Sequence, residues 1–174
     1  MSRLLTCALF VTLAAPATAA TPALVGGSPA VVTLPPNHHP IVALELQFHA
    51  GAVDDPPGKA GLTYLTARVM AEGGTAALTS KQLLEALFPM AAKIEARVDK
   101  EETTFFATVH RDHVQKMVGI LGDVVAHPRF DAAEFARLRD TAANDVEKRL
   151  RQGDDENLGK EALEELMFRG HAYG

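Results

Sequence analysis

The chain of 174 residues contains a single cysteine, Cys7, and no tryptophan. Without a second cysteine no disulfide can form within the chain, so packing must hold the fold together. Aspartate and glutamate number 22 against 17 lysines and arginines, which gives a formal net charge of −5. This acidity argues against nucleic acid as a partner.

The first twenty residues are typical of a secretory signal peptide. Arg3 supplies a positive charge, residues 4–15 an apolar run, and residues 17–19 the cleavage pattern Ala-Thr-Ala. Because the apolar run is too short to span a bilayer, we expect cleavage and no membrane span in the mature chain. The sequence thus predicts a periplasmic or secreted protein. Its parts are a signal peptide over residues 1–20, a flexible arm over 21–28 and one domain over 29–174.

Hydrophobic periodicity predicts an α+β fold. The best strand covers residues 41–50, with Val42, Leu44, Leu46 and Phe48 on one face. Other strands are expected over residues 30–34, 93–98 and 101–110, and helices over 61–72, 79–88, 112–126, 131–152 and 155–168. This order favours an antiparallel or mixed sheet with helices packed on one face. No closing strand follows the last helix, so we expect a domain truncated at its C-terminus.

Residues 58–75, GKAGLTYLTARVMAEGGT, are the most informative segment. With IVALELQFHAGAVDD before it, the hairpin EARVDKEETTFF, the connection HPRF and the terminal FRGHAYG, it resembles the N-terminal domain of the pitrilysin/insulinase-type zinc metallopeptidases. The resemblance implies an inverzincin-like half-domain. In that family a Gly-x-x-Gly loop leads into a helix that carries the inverted zinc motif H-x-x-E-H.

The motif works because histidines at i and i+4 share one helix face and reach one metal, while the glutamate activates the metal-bound water. When Gly61 and residues 72–75 are aligned with the family pattern, the three motif positions are Tyr64, Ala67 and Arg68. A phenol binds zinc poorly at neutral pH, and alanine cannot accept a proton. Beside a divalent metal at about 4 Å, Arg68 would cost about 8 kcal/mol at an effective dielectric constant of about 20. We therefore predict no catalytic residue, no metal site and no cofactor, although active relatives hold zinc.

The family's third ligand, a glutamate, falls near residues 144–147 here, with Glu147 the best candidate and Asp145 the second. Each is either a retained ligand position or a solvated helix charge, and the loss of the other ligands favours the second interpretation. If Glu147 faces Arg68, an ion pair replaces the metal. The pairs His38-His39 and His110/His113 lack a carboxylate or cysteine partner and predict metal only weakly.

The resemblance implies a non-catalytic subunit, exported across a bacterial inner membrane. It would pair with an active metallopeptidase subunit of the same family and help to enclose unfolded peptide by sheet-edge pairing. One alternative is an active zinc metalloendopeptidase with non-standard ligands. Another is a peptide-binding or assembly module without a protease partner.

Overall fold

The computed structural model describes residues 7–11, 31–35 and 38–174. Within them, one antiparallel sheet has the spatial order β1-β2-β4-β3. Its strands are β1 (Cys7–Val11), β2 (Ile41–Phe48), β3 (Lys93–Val98) and β4 (Thr103–His110). The helices are α1 (Leu62–Glu72), α2 (Ser80–Leu87), α3 (Val114–Ala126), α4 (Ala132–Asn144), α5 (Arg151–Gly153) and α6 (Asp155–Met167). The predicted α+β class is confirmed.

The sheet has one apolar face because its strands alternate. Leu44 and Leu46 of β2 are buried, whereas Ala43 and Glu45, which alternate with them, are exposed. Leu44 lies opposite Ala107 of β4, which is also buried, so the apolar face continues from strand to strand. The rings of Phe48 and Phe105 meet edge to face with centroids 5.8 Å apart.

The helices complete the core on this face. Their buried residues include Ala67 and Ala71 of α1, Leu83 and Leu87 of α2, and Met117, Leu121 and Val124 of α3. The α4 helix packs on α1, and its Leu138 has no exposed surface. Among the described residues, no helix has both the length and the apolarity needed to cross a membrane.

The N-terminal edge of the sheet differs from the sequence prediction. Residues 31–35 have no regular secondary structure, so the strand expected over residues 30–34 is wrong for the described part. Cys7–Val11 pairs with β2 instead, in a register from Cys7–Phe48 to Val11–Leu44. Strand pairing is decided by distant partners, which local composition does not reveal. The rest of the predicted signal peptide (1–20) and the predicted arm (21–28) lie outside the described residues.

The long helix expected over residues 131–152 is also interrupted. The chain stays helical from α4 into α5, but a π-helical segment, Asp145–Leu150, separates them. One turn of π-helix contains more residues than one turn of α-helix, so the segment changes which side chains face the neighbouring helix. This segment contains both acidic residues that the sequence singled out, Asp145 and Glu147.

A carboxylate from the preceding loop fixes the start of α1. Asp55 accepts hydrogen bonds from the backbone N–H groups of Gly61 (2.7 Å), Leu62 (3.1 Å) and Thr63 (2.8 Å), and from the Thr63 hydroxyl (2.6 Å). Gly61 has a φ of 87°, a left-handed conformation that glycine adopts without strain. Partial burial raises the pKa of Asp55, but the hydrogen bonds from Thr63, Gly61 and Leu62 outweigh it and leave that pKa below its ordinary value.

We expect Asp55→Ala to lower the free energy of unfolding at pH 7 by about 1–2 kcal/mol, because it leaves the first N–H groups of α1 without their acceptor. The folded-state pKa lies below the unfolded value of about 3.9, so this stabilisation is present above about pH 4. It is lost as the pH falls through the folded pKa. Urea unfolding of both proteins between pH 7 and pH 3 measures the difference.

The matched control is Asp140→Ala, which removes an exposed carboxylate that pairs with its neighbour Arg139. It should change stability by no more than about 0.5 kcal/mol. An Asp55→Ala protein as stable as this control would contradict the capping role.

Candidate functional site

The α1 helix has one buried face and one face turned outward. Ala67 and Ala71 are buried against the rest of the core at 3% and 5% exposure. The outward face carries Tyr64, Arg68 and Glu72, which are spaced four residues apart and therefore lie in one row along the helix. Two of the three motif positions, Tyr64 and Arg68, thus lie outward in this row, and the third, Ala67, lies inward.

Arg68 is the centre of an ion-pair network on this outward face. Its Nε donates to Glu72 at 3.0 Å, and its Nη1 donates to the Tyr64 hydroxyl at 3.3 Å. The same Nη1 lies 3.6 Å from a carboxylate oxygen of Asp145, so Arg68 links α1 to the π-helical segment. The Arg68 side chain is only 21% exposed, which places these contacts at the boundary between core and solvent.

Two further charges extend the network toward α4. Arg137 of α4 lies 3.9 Å from Glu72 and 2.9 Å from Glu134. We call Tyr64, Arg68, Glu72, Arg137 and Asp145 the Arg68 cluster. Positive and negative groups alternate along it, so each charge has an opposite charge as its neighbour. Partial burial lowers the pKa of Arg68, but Glu72 and Tyr64 raise it above its ordinary value, and Arg68 remains a cation.

The acidic partner of Arg68 is Asp145 and not Glu147. Glu147 is 61% exposed and pairs with Arg151 at 3.3 Å. Asp145 contacts both Arg68 and Arg149, the latter at 3.8 Å. The ion pair that the sequence suggested between Arg68 and Glu147 is therefore formed by Asp145 in its place. The π-helical segment explains the change, since it begins at Asp145 and alters the rotation of the residues after it.

The side chains at the motif positions do not fit a zinc ion. Tyr64 is hydrogen-bonded to a guanidinium, Ala67 has no donor atom, and Arg68 places a cation where the metal would lie. Over residues 31–35 and 38–174, no three histidine, aspartate or glutamate side chains come together as a metal site would require. No catalytic step through zinc can be derived from this donor set.

The two histidine pairs that the sequence singled out do not supply another centre. The rings of His110 and His113 lie 6.5 Å apart between centroids. His110 accepts a hydrogen bond from the backbone N–H of Asp112 at 3.3 Å through its Nδ1, which caps the short turn Arg111–His113. His38 and His39 are both exposed, in the loop before β2. Capping the turn after β4 is thus the role that the geometry gives to His110.

A cavity of about 490 Å³ lies next to the Arg68 cluster, between α1, α2, α4 and the start of β3. It shares Glu72 and Arg137 with the cluster. Its apolar lining includes Leu84 of α2, which is 67% exposed, and the buried Ile94 of β3. No local sequence pattern predicts this cavity, because it depends on how four separate elements meet. The one sequence feature that indicates an apolar surface here is Leu84, an additional leucine on the exposed side of α2.

Comparison with known proteins shows the family and a similar fold. The family model described as insulinase, peptidase family M16, matches residues 31–174. A crystal structure described as the inactive domain of peptidase M16 from Pseudomonas fluorescens is similar in fold, with a TM-score of 0.65 and 21% identity. The similarity covers 78% of this chain and 32% of that one, so this chain spans about a third of its length. No curated protein matches the sequence.

We expect Arg68→Ala to lower the free energy of unfolding by about 1–2 kcal/mol. This range lies between an exposed ion pair, about 0.2–1 kcal/mol, and a charge-assisted hydrogen bond, about 1.5–3 kcal/mol. For a chain of this length, thermal unfolding should show a loss of about 2–4 °C per kcal/mol. Arg139→Ala is the matched control, because Arg139 is 57% exposed and pairs with its neighbour Asp140.

A double-mutant cycle with Asp145→Ala isolates the link between α1 and the π-helical segment. The two substitutions together should cost at least about 0.5 kcal/mol less than their sum, because each removes the same contact. An unchanged melting temperature for Arg68→Ala, or strict additivity in the cycle, would contradict the network.

Proposed function

Because the chain belongs to the insulinase family, peptidase family M16, we propose that it is a non-catalytic member that holds unfolded peptide without cleaving it. The observation that carries the proposal is the Arg68 cluster. A guanidinium with three polar partners occupies the face where the family motif presents its metal ligands. The fold around that face is retained, from the cap at Asp55 to the packing of α1.

The sheet supplies a place for peptide beside this face. In the described part of the chain, β3 pairs with β4 on one side only and is an edge of the sheet. The α1 helix packs on β3, and Glu72 of its outward row lines the same cavity as Lys93 and Ile94 of that strand. The unpaired backbone groups of an edge strand can bind an extended peptide as an additional strand. A chain that keeps this edge but lacks the metal ligands can hold peptide and leave it intact.

The proposal includes export and a partner. The signal-peptide pattern in residues 1–20 supports delivery to the periplasm of a bacterium, or secretion. The similar chain from Pseudomonas fluorescens is described as an inactive domain of peptidase M16, and it is about three times longer than the matched part. This supports a role beside a catalytic domain or subunit of the same family, which would supply the zinc chemistry.

Two other functions remain as outcomes of the test. An active zinc metalloendopeptidase with non-standard ligands would have to recruit the carboxylates of Glu72 and Asp145, which already pair with Arg68. A peptide-binding or assembly module without a protease partner would share the edge strand but would not associate with a peptidase.

The experiment is an affinity purification of the exported chain from the periplasm, followed by a peptide assay. We expect a co-purifying subunit that carries an intact H-x-x-E-H motif. The chain alone should bind a labelled unfolded peptide and leave its mass unchanged after prolonged incubation with zinc. Mass spectrometry of the chain should show an N-terminus at residue 20 or 21, so the mature chain lacks β1, and β2 becomes the second open edge of its sheet.

The outcomes separate the three functions. Cleavage by the chain alone that stops on adding a chelator would establish the active metallopeptidase and overturn the proposal. Peptide binding without any peptidase partner would favour the independent binding module. The Arg139→Ala variant is the control for the peptide assay. It should bind peptide as the unchanged chain does, because Arg139 lies outside the Arg68 cluster and the edge strand.

A further inference from the structure

The face of the sheet that points away from the helices carries a second cavity, of about 450 Å³. It is lined by Glu45 of β2, Arg97 of β3, and Thr104 and Phe106 of β4. These side chains alternate along their strands with buried residues of the helix-covered face, such as Leu44. All three strands follow the predicted cleavage site, so the exported chain keeps the strands that form this cavity.

Phe106 lies between two carboxylates across the strands. The strand register places Glu45 of β2 directly opposite Phe106 on one side and Glu95 of β3 directly opposite it on the other. Opposite residues share a face of the sheet, with Cβ atoms about 5 Å apart. Phe106 is half-buried, so part of its ring is open to the cavity. The face of an aromatic ring attracts cations, and carboxylates on both sides strengthen that attraction.

The charges that line the cavity are mainly negative. Its lining contains three carboxylates, Glu45, Asp99 and Glu102, and one guanidinium, Arg97. Arg97 lies 4.0 Å from Asp99, which accounts for one of the three. Glu102 accepts a hydrogen bond from the neutral amide of Gln47, and Glu45 has no ion pair within the described part of the chain. Two carboxylates therefore face the cavity without an opposite charge.

Thr104 adds a hydrogen-bonding group that nothing in the fold uses. It is only 9% exposed, and its hydroxyl has no hydrogen-bond partner among residues 31–35 and 38–174. The hydroxyl of its neighbour Thr103, on the helix-covered face, donates to the Ala50 carbonyl at 2.7 Å. Since the described residues include no side-chain oxygen that is both fully enclosed and unpartnered, the Thr104 hydroxyl is open to the cavity. Buried polar groups are normally paired, so this hydroxyl is available to a ligand.

This combination of groups fits an organic cation better than a metal ion. In the described part of the chain, no three acidic or histidine side chains converge as a metal would require. The carboxylates instead lie around an aromatic ring. A planar guanidinium can stack on such a ring and donate N–H groups at its edge to a carboxylate and a hydroxyl. The volume of the cavity is within the usual range of small-ligand sites.

We propose that this cavity binds a guanidinium group, which stacks on Phe106, pairs with Glu45 and donates a hydrogen bond to Thr104. The site goes beyond the proposed function, because it lies on the opposite face of the sheet from the Arg68 cluster and does not involve the open edge of β3. A free guanidino compound and an arginine side chain of a protein present the same chemistry, and the test separates these two sources.

The test is a titration of the exported chain with capped amino acids, followed by two-dimensional NMR of its backbone amides. N-acetyl-arginine methylamide should bind with a Kd of about 1 mM and shift the amide signals of Glu45, Thr104 and Phe106. The capped citrulline derivative has a similar shape without the charge and should bind about tenfold more weakly. The capped lysine derivative, whose ammonium lacks the planar fork, should also bind more weakly than arginine.

Two variants test the named contacts. Glu45→Gln removes a charge and should weaken binding of the capped arginine about three- to fivefold. Thr104→Val removes the hydroxyl, keeps the branched shape and should weaken binding about tenfold. Glu85→Gln is the matched control, because Glu85 of α2 is 62% exposed and lies on the helix-covered side of the sheet. Its affinity should equal that of the unchanged chain, and spectra without ligand show that each variant is folded.

An unstructured ten-residue peptide with one central arginine separates the two sources. Tighter binding of this peptide than of the capped arginine identifies a polypeptide side chain as the ligand, and equal or weaker binding identifies a free guanidino compound. Equal affinities for the arginine and citrulline derivatives would overturn the proposal, as would Glu45→Gln and Thr104→Val proteins that bind like the control. Lysine binding as tight as arginine binding would overturn the assignment to a guanidinium. Amide shifts at the Arg68 cluster in place of Phe106 would put the cation on the other face and also overturn it.

Discussion

Close packing of α1 on the sheet is the constraint on which the rest of the structure depends. The helix approaches β3 through Ala67 and Ala71, whose small side chains are almost fully buried. That approach turns Tyr64, Arg68 and Glu72 outward toward α4, where their charges are paired. It also leaves room beside the end of α1 for the cavity at α2. The Asp55 cap holds the first turn of the same helix in place.

The two substitutions at the centre of the motif are compatible with each other for physical reasons. A glutamate at position 67 would place a carboxylate where Ala67 is 3% exposed, and an unpaired buried charge is strongly unfavourable. Alanine removes that charge and fits the close contact. Arg68, one residue further, turns outward and finds Glu72 and Asp145. Alanine at position 67 and arginine at position 68 therefore both fit the described structure.

Local patterns predicted the parts of the structure that local physics decides. The alternation in β2, the β3–β4 hairpin and the helices all follow from hydrophobic spacing and from glycines at the ends of elements. The strand Cys7–Val11 was not predicted because its apolar run was assigned to a signal peptide, and its pairing with β2 joins residues that are more than thirty positions apart. Asp145 was placed second to Glu147 because the π-helical segment, which rotates the chain, has no clear sequence signature. The cavity depends on four elements meeting and could not be derived from any one of them.

Zinc binding to the full chain tests most directly whether the Arg68 cluster replaces a metal site. The chain is dialysed to equilibrium against buffered zinc, and the number of zinc ions bound per chain is measured by elemental mass spectrometry. Tyr64→Phe and Asp145→Ala are treated in the same way, since each removes an oxygen of the cluster that a metal would need. Because Arg68 already supplies the cation at this face, the unchanged chain should bind no zinc there. The two variants should have the same zinc content as the unchanged chain. One zinc per chain that is lost in both variants would contradict the replacement of the metal by the ion-pair network.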